Sequence, residues 1–369
     1  MKKKLSLVSL ILLLVMLMST PALAATVCKI GSKGYSSLQK AVNAVKNGQT
    51  ITVTKAITTD ERFSTIDAKA KKFTIDWKNK KYIYTSEDKK QPAFHISNGH
   101  KVTVKNLNIE SPHINPFSIA NGGELIIHSG KVAAWALIHS YGKVTIKGGT
   151  FTVKSLSDGL WPFIQSLEGS ELTIAKGTFT GEGLLVLNKK GKVTISGGKF
   201  HISENAKAPV IANTPDGGTV TISGGTFSGP DYLIENRSKM TISGGSFKST
   251  NYTSGPCIKM FEGSTTKIKG GTYKGGFNTN GKLTISGGKT NAEVIVGENG
   301  NCTITKLTIK QDPSPGKGPG NGAMLVNQGG KLTVKGGKFT SKNGYGYSGD
   351  VTFTMKNYEK LFTVKTMTP

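Results

Sequence analysis

One nine-residue phrase returns along most of the chain and constrains the fold more than any other feature. It reads KVTISGGKF at residues 192–200, and eleven copies, some degenerate, begin between Lys101 and Lys331. The copies are spaced by 17 to 30 residues. A recurring unit of this size predicts a solenoid, because one coil cannot bury its apolar face without stacking on a neighbour.

Apolar and polar residues alternate within each copy, which is the pattern of a strand with one buried face. Stacking equal positions gives an inward column of Ile and Val, an outward column that is mostly Thr, and a column of aromatic residues. The aromatic column contains Phe151, Phe179, Phe200, Phe227, Phe247 and Tyr273. A second family of strands precedes the phrase and often ends in Asn, which suits a corner between strands. These asparagines are Asn98, Asn121, Asn188, Asn213, Asn236 and Asn327. The pattern predicts an all-β fold, a right-handed parallel β-helix.

The first position of the phrase carries an ordered charge pattern. In chain order it is Lys101, Glu124, Lys143, Glu171, Lys192, Thr219, Lys239, Thr265, Lys282, Asn301 and Lys331. If successive copies stack about 4.8 Å apart, neighbouring lysines lie about 9.6 Å apart, near one Debye length at physiological salt. This order independently favours direct stacking of the copies.

The ends of the chain predict processing and capping. Residues 1–24 combine a basic head, an apolar run and a terminal Ala-x-Ala, which are the parts of a secretory signal peptide. We expect residues 25–369 to form one β-helix, with an N-terminal cap at 25–50, coils at 51–350 and a C-terminal strand or cap at 351–369. Within the cap, the apolar residues of 36–48 fall on one helical face, which predicts a short helix over the open end.

Charge and cysteine content limit the partners. The chain has 48 Lys and Arg against 22 Asp and Glu, and removal of the three signal lysines leaves 45 − 22 = +23. For an exported chain the accessible polyanions are acidic polysaccharides and cell-wall polymers. Three cysteines are an odd number, so we expect small buried residues rather than a disulfide framework. The expected product is a secreted monomer, extracellular or cell-wall associated, that leaves the membrane after signal cleavage.

Several segments together resemble the pectin-lyase-like superfamily of right-handed β-helices. They are SLQ at 37–39 leading into GQTI at 48–51, FTID at 73–76, FHIS at 94–97, and KVTVKNL at 101–107. The resemblance extends over nearly the whole mature chain. It implies the architecture but not the chemistry, because the superfamily includes lyases, hydrolases, esterases and non-catalytic surface proteins.

No catalytic residue is indicated by the sequence. A calcium-dependent lyase of this superfamily needs carboxylates at the same phase of neighbouring coils, and a hydrolase needs a close carboxylate pair. The acidic residues do not share one phase. They are Asp158, Glu182, Glu204, Asp216, Asp231, Glu235 and Glu262. We therefore expect no metal and no cofactor, with calcium required only if the chain is a lyase.

These observations favour a non-catalytic, adhesin-like β-helix that binds anionic glycans or cell-wall polymers through lysine-rich faces. The alternative is a polysaccharide lyase acting on a uronate-containing polymer. Nucleic-acid binding through lysines alone ranks last, because few aromatic residues interleave with the lysines, and no specific nucleic acid is expected. The candidate ligand-binding residues are Asp158 and Trp161 in one excursion from the repeats, and Lys189, Lys190 and Arg237 after two asparagine corners.

Overall fold

The protein is a parallel β-solenoid with three sheets, as the repeat predicts. The computed structural model describes residues 25–86, 92–111, 116–153, 162–206, 208–230, 232–250, 256–311, 323–341 and 345–363. Each coil contributes one strand to each sheet in turn, so strands that are neighbours in a sheet come from successive coils. The exception is an antiparallel hairpin, Cys28–Ile30 and Lys33–Tyr35, which pairs with Thr50–Val53 at one end of a sheet.

Within a coil the chain passes through sheet A, then sheet B, then sheet C. The phrase begins in sheet A, and the second strand family, which precedes the phrase, forms sheet C. Sheet A consists of Cys28–Ile30, Lys33–Tyr35, Thr50–Val53, Lys72–Asp76, Lys101–Lys105, Glu124–Ile127, Lys143–Ile146, Glu171–Ile174, Lys192–Ile195, Thr219–Ile222, Lys239–Ile242, Thr265–Ile268, Lys282–Ile285, Asn301–Ile304, Lys331–Val334 and Val351–Phe353. Sheet B consists of Ile57–Thr59, Tyr82–Tyr84, Leu107–Ser111, Gly130–Ala134, Thr150–Val153, Thr178–Gly181, Lys199–Ile202, Thr226–Gly229, Ser246–Ser249, Thr272–Lys274, Lys289–Thr290, Thr308–Lys310, Lys338–Thr340 and Phe362–Thr363. Sheet C consists of Phe63–Ser64, Phe94–Ile96, Phe117–Ile119, Ile138–Ser140, Ile164–Ser166, Val186–Asn188, Ile211–Asn213, Ile234–Asn236, Ile258–Met260, Phe277–Thr279, Val294–Val296, Ala323–Asn327 and Tyr345–Ser348.

The copies of the phrase lie directly over one another. Ile195 is paired with Ile222, and Ile222 with Ile242, in parallel register. All three side chains are fully buried. The inward column predicted from the sequence is therefore confirmed, and with it the assignment of the alternate residues to the outer face.

The Gly-Gly pair makes the corner between sheet A and sheet B, and its two members have different roles. A Cβ added to Gly224 would overlap the carbonyl oxygen of Ser196 in the preceding coil, so the first glycine permits close stacking of coils. Gly225 has a φ of +104°, which side chains rarely allow, so the second glycine turns the chain. The same division of roles recurs at Gly244 and Gly245.

The aromatic column forms a continuous stack inside the solenoid. Ring centroids of successive members are 4.7 to 4.9 Å apart and interplanar angles are 4° to 17°. The stack runs from Phe151 to Tyr273, whose hydroxyl donates a hydrogen bond of 2.7 Å to the Gly270 carbonyl. The spacing equals that of the coils, so each ring packs on its equivalent in the next coil.

The corner between sheet C and sheet A is held by an internal amide ladder. Asn188 donates to Asn213 at 2.9 Å, and Asn213 donates to Asn236 at 2.8 Å. The ladder ends with Asn236 donating to Thr266 at 2.8 Å. Asn98 and Asn121 occupy a different position, two residues beyond their strands, and are exposed. The asparagines grouped together in the sequence therefore belong to two classes, of which one is structural.

Helix α1 and a 3-10 helix lie near the two ends of the described chain. Helix α1 spans Leu38–Ala44, and the Ser37 side chain caps it by accepting a hydrogen bond from the Lys40 backbone N–H. It buries Leu38, Ala41 and Val42. The 3-10 helix spans Tyr358–Leu361, where the Tyr358 ring stacks on Phe353 with centroids 4.2 Å apart.

Candidate functional site

The outer face of sheet A changes its charge along the solenoid. In the N-terminal coils, Lys101 pairs with Glu124 at 2.8 Å and Lys143 pairs with Glu171 at 3.7 Å. In these coils a glutamate therefore lies between successive lysines, as the alternation in the sequence predicts. It does not extend further towards the N-terminus, because Lys72 lies directly beside Lys101.

Beyond Glu171 the strands of sheets A and B contain no carboxylate as far as Thr340. From Lys192 to Thr340, fourteen exposed lysines lie on these strands and at their shared corner. On sheet A they are Lys192, Lys239, Lys267, Lys282 and Lys331, on sheet B Lys199, Lys248, Lys274, Lys289, Lys310 and Lys338, and at the corner Lys269, Lys306 and Lys335. We call this surface the basic face.

No lysine of the basic face forms a salt bridge with any residue that the structure describes. The acidic residues described in the same coils lie on sheet C and in the turns beside it. They are Glu204, Asp216, Glu235, Glu262, Glu293 and Glu298. The lysines of the basic face and these carboxylates therefore occupy different sides of this part of the solenoid.

A column of threonines runs along the centre of sheet A. Thr194, Thr221 and Thr241 pair in register and are half-buried. Lys267 occupies the next rung, and Thr284, Thr303 and Thr333 follow it. Lys192, Lys239, Lys282 and Lys331 flank it on alternate rungs, about 9.6 Å apart. The surface thus offers hydroxyl groups along the solenoid axis and a cation at every second rung beside them.

Asp158 and Trp161 lie outside the described residues. Lys189 and Arg237 occupy the same position in their coils, as the hydrogen bonds of their backbone N–H groups to Ser166 and Asn213 show, with Thr214 between them. Lys190, next to this column, has a φ of +68° and lies 3.8 Å from the Glu168 carboxylate. The structure therefore brings the three described candidates to one edge, the corner between sheet C and sheet A.

Arg237 belongs to a cluster that sequence reasoning missed. Its guanidinium carbon lies 3.4 Å from the centroid of the Phe261 ring, and its Nε is 3.8 Å from the Glu235 carboxylate. Lys259 Nζ lies 5.0 Å from the Phe261 centroid and 5.3 Å from the Tyr232 centroid. We call these five residues the arginine corner. The signal was available in the repeat, since Arg237 and Phe261 both directly follow a strand of sheet C.

The cysteines offer no reactive group. Cys28, Cys257 and Cys302 are buried free thiols. Burial raises the pKa of Cys28 to about 11 and that of Cys257 to about 12, and it also raises the pKa of Cys302. A thiol that resists ionisation is a poor nucleophile and a poor metal ligand.

Within the described ranges, no three His, Cys, Asp or Glu side chains come together in a group that could hold a metal ion. The same residues include no helix long and apolar enough to cross a membrane. No protein-family model, curated protein sequence or solved structure matches the chain. The fold is therefore established by the strand pairing alone, and the superfamily resemblance rests on the sequence segments that suggested it.

Proposed function

We propose that the protein is a non-catalytic, adhesin-like β-solenoid that binds anionic glycans or cell-wall polymers through the basic face. One observation carries the proposal: the strands of sheets A and B between Lys192 and Thr340 present lysines without a single carboxylate. In a chain that still has acidic residues in the same coils, this separation leaves the positive charge of one side uncompensated.

The geometry favours an extended polymer over a small ligand. Lys289 and Lys306 line one open cleft, but the fourteen lysines extend over several coils, so one bound group would contact only a small part of the surface. Individual exposed ion pairs contribute at most about 1 kcal/mol, so useful affinity requires many contacts made together. A polyanion lying along the solenoid axis makes those contacts and releases its counterions in doing so.

The finer assignments form part of the same proposal. The parallel solenoid with an N-terminal helix supports membership of the pectin-lyase-like superfamily, whose members include non-catalytic surface proteins. The features of residues 1–24 support export, and the net positive charge suits a location outside the cell or in its wall.

The test compares two triple variants that change the net charge equally. Lys239, Lys282 and Lys331 are replaced by Gln on the basic face, and Lys78, Lys101 and Lys143 are replaced in the control. The control lysines have carboxylate partners at 3.1, 2.8 and 3.7 Å. Binding to immobilised polygalacturonate, a sulfated glycosaminoglycan and neutral dextran is measured as a function of salt concentration.

We expect the basic-face variant to lose affinity for both anionic polymers, with the slope of log affinity against log salt falling by roughly 2 to 3. The control variant should keep most of its affinity and most of its salt slope, and the neutral dextran should not bind. Equal losses in the two variants would contradict the assignment to the basic face. Ultraviolet absorbance of an unsaturated uronide, formed from polygalacturonate with calcium, would contradict the non-catalytic proposal. Tighter binding to single-stranded DNA than to either glycan would contradict the choice of partner.

A further inference from the structure

Arg237 differs in kind from the other cations of the repeats. The chain has 48 basic residues, of which Arg62 and Arg237 are the only arginines, and Arg62 precedes the repeats. Arginine presents a planar fork of N–H donors that matches a carboxylate or a sulfate, whereas the lysine ammonium acts as a point charge. The single arginine therefore marks a position where the direction of hydrogen bonding matters.

The backbone places Phe261 directly beside Arg237 in the same corner column. The Arg237 N–H donates to the Asn213 carbonyl, and the Phe261 N–H donates to the Asn236 carbonyl one coil later. The guanidinium lies against the ring at 3.4 Å. A guanidinium that is already held against a ring loses less conformational freedom when it binds an anion.

The hydrogen-bonding capacity of this guanidinium is unused within the described chain. Arginine has five N–H donors, and none of those of Arg237 makes a side-chain hydrogen bond with a described residue. Among the residues described, the carboxylate oxygen paired with it is on Glu235, 3.8 Å from Nε, which is beyond hydrogen-bond distance. A second cation, Lys259, lies between the Phe261 and Tyr232 rings. In sheet C, Lys259 is the register partner of Glu235, so both cations lie close to the same acidic residue.

We propose that the arginine corner binds one carboxylate or sulfate group of a glycan, with Arg237 donating two parallel hydrogen bonds and Lys259 adding a second charge. The proposal rests on the proposed function, since the group belongs to the polymer on the basic face. Continuity of the two surfaces supports it, because Arg237 is two residues before Lys239 in the first column of sheet A. The corner adds selectivity for planar or tetrahedral oxyanions to the non-directional attraction of the lysines.

The polymer test uses a variant that retains the charge. Arg237→Lys should weaken binding to polygalacturonate or the sulfated glycosaminoglycan about 10-fold while leaving the salt slope nearly unchanged, because the fork is lost but the cation is kept. Arg62→Lys is the matched control, since it makes the same charge-conserving change at the other arginine, which lies before the repeats. An Arg237→Lys protein that binds as tightly as the wild type overturns the inference and leaves the proposed function standing.

A monosaccharide test is independent of polymer binding. The chain has two arginines, so its Nε–H nuclear magnetic resonance spectrum should contain two signals, and Arg237→Gln identifies one of them. Titration with galacturonic acid or glucose 6-sulfate should shift the Arg237 signal, whereas neutral galactose should not. The response to each acid distinguishes a carboxylate site from a sulfate site. Absence of a shift with both acids overturns the inference, whatever the polymer experiment shows.

Discussion

The side chain of Gln39 and the backbone of Ser64 exchange two hydrogen bonds. The Ser64 N–H donates to Gln39 Oε1 at 2.8 Å, and Gln39 Nε2 donates to the Ser64 carbonyl at 2.9 Å. Phe63–Ser64 is the first strand of sheet C, so one of its edges has no neighbouring strand. The amide of helix α1 therefore takes the place of a preceding coil and protects this edge from pairing with another chain.

Gln39→Ala should destabilise the protein by about 2 kcal/mol, because two backbone groups of the edge strand lose their partners. The free energy of unfolding, measured by urea denaturation, tests this. Lys40→Gln is the control, since Lys40 lies on the exposed side of the same helix. If the two variants are equally stable, the amide does not act as a strand substitute.

Gly224→Ala should cost about 1–3 kcal/mol, because the new methyl group overlaps the backbone of the preceding coil, which cannot rotate away. Gly183→Ala provides the matched control, since nothing lies within 4 Å of a Cβ placed there. Thermal or urea unfolding of both variants gives the comparison. A Gly224→Ala protein as stable as the control would show that the coils can separate at this corner without cost.

Glu293 should make stability fall as the pH rises. Burial raises the pKa of its carboxyl above the ordinary value of 4.5. An acid with a higher pKa in the folded state binds its proton more tightly there, so its contribution is full in acid and is lost as the pH rises through that folded pKa. Glu293→Gln should therefore be more stable than the wild type at neutral pH, with the difference shrinking towards pH 4.5.

Urea unfolding across this pH range measures the effect of Glu293. Glu298→Gln, at an exposed position in the turn that follows, serves as the control. A pH profile for Glu293→Gln that parallels the wild type would contradict the assignment.

The three thiols should be inert in the folded protein. With a pKa of about 11, Cys28 is ionised in roughly one molecule in 1,000 at pH 8, and burial blocks access to all three sulfurs. A chromogenic disulfide reagent should detect no fast-reacting thiol in the native protein and three in denaturant. One rapidly reacting equivalent in the native state would show that a coil opens locally.

The repeat was enough to predict the register of the solenoid, because equal positions in equal coils must stack. The sequence therefore predicted two inward columns, one containing Ile195, Ile222 and Ile242 and the other containing the rings from Phe151 to Tyr273. Contacts outside the repeat could not. The pairing of Gln39 with Ser64 joins residues 25 positions apart, and nothing in either local sequence specifies it.

The candidate site was only partly predictable for the same reason. Lys189 and Arg237 each follow an asparagine in the sequence, and the structure puts them in one column. Phe261 was overlooked because its own strand ends in Met260, so the asparagine signal is missing there. The basic face could not be predicted without knowing which turns carry the carboxylates. That depends on the position of each acidic residue in its coil, which the composition of the chain does not give.

The separation of charges also determines how such a rod would settle on a surface. Fourteen parallel strands of sheet A at about 4.8 Å give a length of roughly 62 Å. The lysines of the basic face follow this length, whereas the carboxylates of the same coils lie on sheet C and in its turns. On a negatively charged matrix the molecule would therefore lie lengthwise, with sheets A and B towards the matrix.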